Sequence, residues 1–135
     1  MIAKGRRRAV AAVELLFVLP VLLTVLLGTV ELSLWLTAQQ TVSLSSREGA
    51  RTAALGGDNT AVQDAVRLTL GDARYAQATV VAYLTDDSGN PVDSGQPVSV
   101  VVQLPVSSVV PDLLAFTGLT IRNLQLVGQT VMRKE

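Results

Sequence analysis

The apolar residues of the chain form one continuous block, which is followed by a mixed stretch and then by an alternating pattern. Within residues 9–36 the block contains two charged side chains, Glu14 and Glu31, and residues 15–30 contain none. The 22 residues from 15 to 36 would form a helix about 33 Å long, enough to cross a hydrocarbon core of about 30 Å. The pattern therefore predicts a transmembrane helix over residues 9–36.

The helix is predicted to continue beyond this apolar block. Residues 37–55 contain neither a proline nor a cluster of turn-forming residues, and the first break is the glycine pair at 56–57. We therefore expect a helical extension through residue 55 that protrudes from the membrane. Glu48 and Arg51 lie three positions apart on it, a spacing that predicts an ion pair on the helix surface.

Residues 56–135 combine helical spacing with a period of two, which is typical of a small α+β domain. Thr60 and Gln63 have the spacing of a capping box and predict the start of a short helix. After it, apolar residues alternate over two segments and predict an antiparallel hairpin with a long tip. The alternating residues are Ala78, Val80, Ala82, Leu84, Val98, Val100, Val102 and Leu104.

A third strand is predicted near the end of the chain. Pro105 ends the second strand, residues 107–116 are interpreted as a short helix or turn, and residues 119–132 form the third strand with a bulge near 122–123. The expected fold is α+β: a long N-terminal transmembrane helix followed by an antiparallel sheet of about three strands with one or two short helices.

Charge is balanced over the whole chain but not along it. There are 11 Lys and Arg against 11 Asp and Glu, which argues against a nucleic-acid partner. Residues 1–8 contain no acid and four basic residues, Lys4, Arg6, Arg7 and Arg8. Because cytoplasmic flanks of transmembrane helices are rich in basic residues, residues 1–8 are predicted to be a cytoplasmic leader and residues 37–135 extracytoplasmic. Trp35 is expected at the outer membrane interface.

The residue inventory leaves little room for catalysis. The chain has no histidine and no cysteine, which excludes imidazole bases, cysteine nucleophiles, disulfides and the usual zinc sites. Oxygen ligands for calcium cluster at Asp86, Asp87, Asn90 and Asp93, but their spacing differs from an EF-hand loop and turn chemistry accounts for them. We therefore expect no enzymatic activity, no cofactor, no metal and no small-molecule substrate.

The apolar block has two alternative interpretations. A cleaved secretory signal shares the basic start and the apolar run, although this run is long for a signal and Leu36-Thr37-Ala38 is a poor cleavage site. A buried helix of a water-soluble protein is disfavoured, because a chain of 14.2 kDa has too few residues to surround an apolar helix of this length.

The first third of the chain contains motifs that occur together in one family. An arginine-rich, small-residue start leads to the pair Val13-Glu14 and to an apolar run with the step Leu19-Pro20. The motifs that follow are Gly28-Thr29-Val30-Glu31-Leu32, Ala38-Gln39-Gln40 and Arg47-Glu48-Gly49-Ala50-Arg51. In this order, the motifs resemble the start of TadE-like proteins, the pseudopilins of tight-adherence (Tad/Flp) pilus systems.

The resemblance implies a bacterial inner-membrane protein that supports the assembly or secretion of adhesive pili. Its partners would be membrane lipid and other pilin-like or pilus-assembly proteins. Glu14 matches the glutamate of pilin starts, which is thought to meet the free amino terminus of a neighbouring subunit when the helices pack. Four further matching residues are interpreted as partner contacts: Glu31, Arg47, Glu48 and Arg51.

The resemblance also implies a possible processing site. If Glu14 is the fifth residue of a mature chain, Val10 is the first and Ala9 precedes the cut. Prepilin peptidases of these systems prefer glycine before the cut, and a cut after Gly5 would make Glu14 the ninth residue. Two outcomes stay open: a processed pseudopilin, or an assembly factor that keeps its leader.

A second class of function also stays open at this point. The outer domain could be a secreted or anchored binding module whose sheet recognises a surface ligand. A large hydrophobic groove on the sheet would favour it.

Overall fold

The architecture is that of a computed structural model. It describes residues 3–71, 73–85 and 90–135, with side chains from residue 12 onward. Two α-helices, α1 (Ala3–Ala54) and α2 (Asn59–Leu70), precede three strands, β1 (Thr79–Tyr83), β2 (Pro97–Pro105) and β3 (Gln125–Arg133). Single 3₁₀ turns lie at Ala73–Tyr75, Val106–Ser108 and Ala115–Thr117. The predicted α+β class, with one long apolar helix and a three-stranded sheet, is confirmed.

Helix α1 ends at the glycine pair, as the sequence predicts. Gly56 has a φ of 86°, a left-handed conformation that a residue without Cβ adopts at little cost. The Gly57 amide donates to the Thr52 carbonyl at 3.0 Å, and the Gly56 amide donates to the Ala53 carbonyl at 3.1 Å. These two bonds form a Schellman motif, which satisfies carbonyls at the helix end and turns the chain back along α1.

Helix α2 begins two residues earlier than the sequence predicts. Asp58, not Thr60, is the N-cap: its carboxylate accepts a 2.8 Å hydrogen bond from the Ala61 amide. Asp58 has extended backbone angles, as an N-cap residue requires, whereas Thr60 already lies inside the helix. The apolar stripe of α2, Val62, Val66 and Leu70, is buried.

The sheet has the strand order β1-β2-β3, and both pairs are antiparallel. The predicted hairpin is confirmed, because Val80 pairs with Val102 and Ala82 pairs with Val100. Pro105 is the last residue of β2, also as predicted. The third strand, however, begins at Gln125 instead of 119, and the predicted bulge near 122–123 is wrong. Those residues belong to a turn, in which the Leu124 amide donates to the Ile121 carbonyl.

The core lies between the C-terminal half of α1 and one face of the sheet. Alternate residues of β2 are buried, with Val98, Val100, Val102 and Leu104 all at or below 1% exposure. The Gly128 Cα of β3 lies so close to α1 that an added Cβ would be 2.6 Å from the Val42 carbonyl oxygen. Helix α2 packs on the same part of α1, where a Cβ on Gly49 would be 2.6 Å from Val66 Cγ2. The sheet and α2 therefore cover only the second half of α1.

Candidate membrane-anchoring and partner-binding helix

The N-terminal half of α1 presents apolar side chains to its surroundings on all sides. Most of the large side chains from 13 to 26 are at least 44% exposed, with Phe17 at 72% and Leu16 at 70%. By length and composition, α1 is a helix that can cross a membrane, and none of its most apolar window is buried by the rest of the described chain. An exposed apolar surface of this extent indicates a lipid or helix partner.

Glu14 lies on this exposed apolar surface. It is separated from Glu31 by 17 positions, which corresponds to roughly 25 Å along a helix. Ala9 and Val10 belong to the backbone of α1, but their side chains lie outside the described residues. The packing role of Glu14 and the processing role of Ala9 and Val10 stay predictions.

Glu31, in contrast, is buried at 6% exposure. Its Oε2 accepts a 3.1 Å hydrogen bond from the Leu114 amide, 83 positions later in the chain. The carboxylate thus joins α1 to the segment between β2 and β3. This intramolecular partner was not predicted from the sequence, since no local pattern relates the two positions. A contact between Glu31 and another protein stays a prediction.

Three of the predicted partner contacts are exposed on the C-terminal half of α1: Arg47, Glu48 and Arg51. The opposite face of this half of the helix packs in the core. The predicted ion pair between Glu48 and Arg51 is wrong: within the described residues, neither side chain pairs with the other. Exposed pairs of this kind contribute little in water, so both side chains stay solvated.

A shallow depression of about 440 Å³ adjoins Arg47 and is bordered by Gln39, Gln40, Ser43 and Leu44. These positions are available to a partner, and their contacts stay predictions.

The segment between β2 and β3 is a second feature that the sequence analysis did not single out. Within this segment, Asp112 is joined to two later residues. Arg122 Nε lies 3.1 Å from Asp112 Oδ2, and Thr120 Oγ1 donates to the same oxygen at 2.8 Å. We call residues 112–122 the clamped loop. The nine residues between Asp112 and Arg122 carry no charge, which is the sequence signal that could have identified the loop.

A largely apolar, open cavity of about 330 Å³ lies between α1 and the segment that joins β2 to β3. It is lined by Gly28, Glu31, Leu32, Trp35, Leu114, Ile121 and Leu124. Trp35, which was expected at a membrane interface, is half-buried beside this cavity and packs against the core. The acidic cluster considered for calcium includes Asp86 and Asp87, which lie outside the described residues.

Comparison with protein families relates the same helix to a known group. The model of the family described as TadE-like protein matches residues 9–51, which is about a third of the chain. Comparisons with curated proteins and with solved structures find no match. The family match covers Glu14, Glu31, Arg47, Glu48 and Arg51, and it ends three residues before α1 does. Residues 9–51, which include the apolar and core-packing parts of α1, are therefore a TadE-like segment, and such a segment suggests a Tad pilus-associated component.

Proposed function

We propose that this protein is a membrane-anchored, pseudopilin-like structural component that supports the assembly or secretion of tight-adherence-type pili. The observation that carries the proposal is the division of α1. Its first half is apolar and exposed, and its second half is the core helix of a small domain. The TadE-like match extends across both halves. A helix divided in this way holds a folded domain at a fixed distance from the membrane.

The proposed location is the bacterial inner membrane, with the N-terminus in the cytoplasm. The four basic residues before the apolar block favour this orientation, because the positive flank of a membrane helix stays cytoplasmic. The sheet, α2 and the clamped loop would then lie outside the cytoplasm, where pilus subunits meet.

Glu14 is the proposed helix-packing contact. A carboxylate near hydrocarbon is costly unless it reaches water or an opposite charge. A positively charged group of a neighbouring subunit, such as a free amino terminus, would remove that cost and would also fix the register between two apolar helices. Arg47, Glu48 and Arg51 are the proposed contacts outside the membrane, since all three are exposed on the same helix.

The role we propose is structural and not catalytic, and membrane lipid and pilus proteins are the proposed partners. The alternative, recognition of a ligand by the sheet, has weaker support. The outer face of the sheet mixes exposed Val81 and Val131 with the polar residues Gln103 and Gln129. Such a mixed face gives a ligand less apolar area than the exposed half of α1.

Replacement of Glu14 tests the proposal in cells that depend on this chain for pili. We expect Glu14→Ala to lower surface pilus display strongly, at an unchanged level of the protein in the membrane. Asp64→Ala is the matched control, because Asp64 is an exposed acid on α2, outside the TadE-like segment. Equal display by wild type and Glu14→Ala would refute the packing role.

Removal of the whole chain extends this test to the function itself. Pili that form normally without the protein would refute the proposed function. The intact mass of the protein from the same membranes shows whether the leader has been removed. Loss of residues 1–9 or 1–5 indicates a processed pseudopilin, and a full-length mass indicates an anchored assembly factor.

A further inference from the structure

The clamped loop has an exposed apolar tip. Phe116 is 65% exposed and Leu119 is 63% exposed, and neither is covered by another part of the described chain. The flanking charges are held at the base, where Asp112 and Arg122 pair with each other. An exposed aromatic and an exposed leucine in one short uncharged loop would be stabilised by transfer from water to an apolar environment.

The loop is attached to α1 near residues 28–31. The Leu114 amide donates to the Glu31 carboxylate, and Leu114 Cδ1 lies 3.5 Å from the position of a Cβ on Gly28. The second contact lies about one helical turn nearer the N-terminus than the first. The tip of the loop, residues 115–119, therefore lies close to the level of α1 residues 28–31.

Helix length places this level in the outer part of the hydrocarbon core or at its outer edge. A hydrocarbon core of about 30 Å takes about 20 helical residues. If the core begins at Leu15, just after Glu14, it extends to Leu34 and includes the level where the loop is attached. If it begins at Ala9, just after the basic residues, it ends at Gly28, the lower contact of the loop. In the first case the loop is attached roughly 5–9 Å inside the outer edge of the hydrocarbon core, and in the second case it is attached at that edge.

We propose that the clamped loop inserts its apolar tip into the outer leaflet, as a second lipid contact beside the transmembrane helix. The inference rests on the proposed membrane anchor. Phe116 and Leu119 would lie at the acyl-chain boundary, where aromatic and aliphatic side chains are stabilised. Arg122, whose side chain is 71% exposed, would lie at the headgroups and reach lipid phosphate. Two attachments, one helix and one loop, would fix the tilt of the domain on the membrane.

Lipid-depth quenching tests this proposal directly. The chain has no cysteine, so single cysteines accept an environment-sensitive nitrobenzoxadiazole (NBD) label without background. The full-length protein would be labelled at Ala115→Cys in the loop, at Leu22→Cys in the apolar helix and at Leu68→Cys on α2. It would then be reconstituted at low density into phosphatidylethanolamine–phosphatidylglycerol vesicles with nitroxide-labelled acyl chains.

Each label has a defined expectation. Leu22 is 61% exposed within the apolar half of α1, so its label should lose fluorescence to the nitroxide. Leu68 is 85% exposed on α2, which packs beside Gly49, roughly 30 Å along the helix from Gly28, so its label should lose none. The proposal predicts that the loop label loses fluorescence as the Leu22 label does. A label at Phe116→Cys repeats the measurement if the Ala115 variant does not fold, as judged by circular dichroism.

The outcomes separate the two proposals. Quenching at position 22 without quenching at position 115 would refute the loop contact and leave the anchor intact. No quenching at position 22 would refute the anchor and the loop contact with it. An apolar emission of the label at position 115 that appears only at high protein density, and that the nitroxide does not quench, would assign the loop to a second copy of the chain and overturn the lipid contact.

Discussion

At the scale of single residues, the Glu31 carboxylate is the polar group with the most unusual position. Among the described residues it is the one acid in the buried set, which otherwise contains apolar side chains, Ser45 and Ser46. A buried acid is stabilised when a donor is fixed in front of it, and the Leu114 amide is that donor. Glu31 therefore stabilises the attachment of the clamped loop to α1.

We predict that Glu31→Ala loosens the clamped loop, whereas Glu31→Gln, which keeps an acceptor oxygen, does so much less. Removal of the acceptor of a buried amide lowers stability by about 1–3 kcal/mol. If the whole loss acts on local opening of the loop, hydrogen exchange becomes roughly 5–150-fold faster. Mass spectrometry of a peptide that covers residues 110–118, in detergent-solubilised protein, measures this change. Equal exchange in wild type and Glu31→Ala would show that the hydrogen bond does not hold the loop.

At the scale of elements, the connection between α1 and α2 determines where α2 begins. The Schellman motif at Gly56 and Gly57 turns the chain, and Asp58 then caps the first turn of α2. The cap matters for packing, because α2 places Val62 and Val66 against α1 only if it begins in this register. Local capping chemistry and helix–helix packing thus favour the same start.

We predict that Asp58→Ala lowers the free energy of unfolding by about 1 kcal/mol, the usual contribution of an N-cap side chain. Thr60→Ala is the control, since Thr60 is exposed inside the helix and alanine is a better helix former than threonine. Denaturation followed by the fluorescence of Trp35, the single tryptophan, compares the two variants. A larger loss for Thr60→Ala than for Asp58→Ala would restore the capping box expected from the sequence.

At the scale of the whole molecule, the close packing of α1 on the sheet joins the exposed apolar half of the helix to the α+β domain. Gly128 permits the contact, because any side chain at this position of β3 meets the Val42 backbone. Two polar contacts lie beside it: Gln39 Nε2 donates to the Val127 carbonyl at 3.0 Å, and the hydroxyls of Ser46 and Thr130 are 2.9 Å apart. The close approach and these two bonds hold β3 against α1.

We predict that Gly128→Ala destabilises the α+β domain by about 1–3 kcal/mol, the range for an overpacked core. The obstacle is a backbone carbonyl at 2.6 Å, so relief requires the helix and the sheet to separate. Gln129→Ala, at the neighbouring exposed position of β3, is the matched control and should change stability little. Thermal unfolding of both variants in the same detergent measures the difference. Equal midpoints for Gly128→Ala and wild type would contradict the close packing.

The sequence by itself determined the features that depend on local order along the chain. The length and apolarity of the first block predicted a helix that can cross a membrane, and the glycine pair at 56–57 predicted its end. Alternation over two valine-rich segments predicted the hairpin, because a period of two places one face of each strand in the core. The motifs from Glu14 to Arg51 were sufficient to predict the TadE-like family.

Tertiary structure alone decided the features that depend on contacts between distant residues. The third strand begins at Gln125 because the preceding residues fold back onto α1 at Gly28 and Glu31, and no periodicity encodes that contact. Asp58 and Thr60 are both suitable caps, and the exit direction of the chain after Gly56 selects Asp58. The sequence therefore identified a helix that can cross a membrane. Only long-range packing placed the clamped loop beside that helix, because such contacts depend on where the chain returns and not on local propensity.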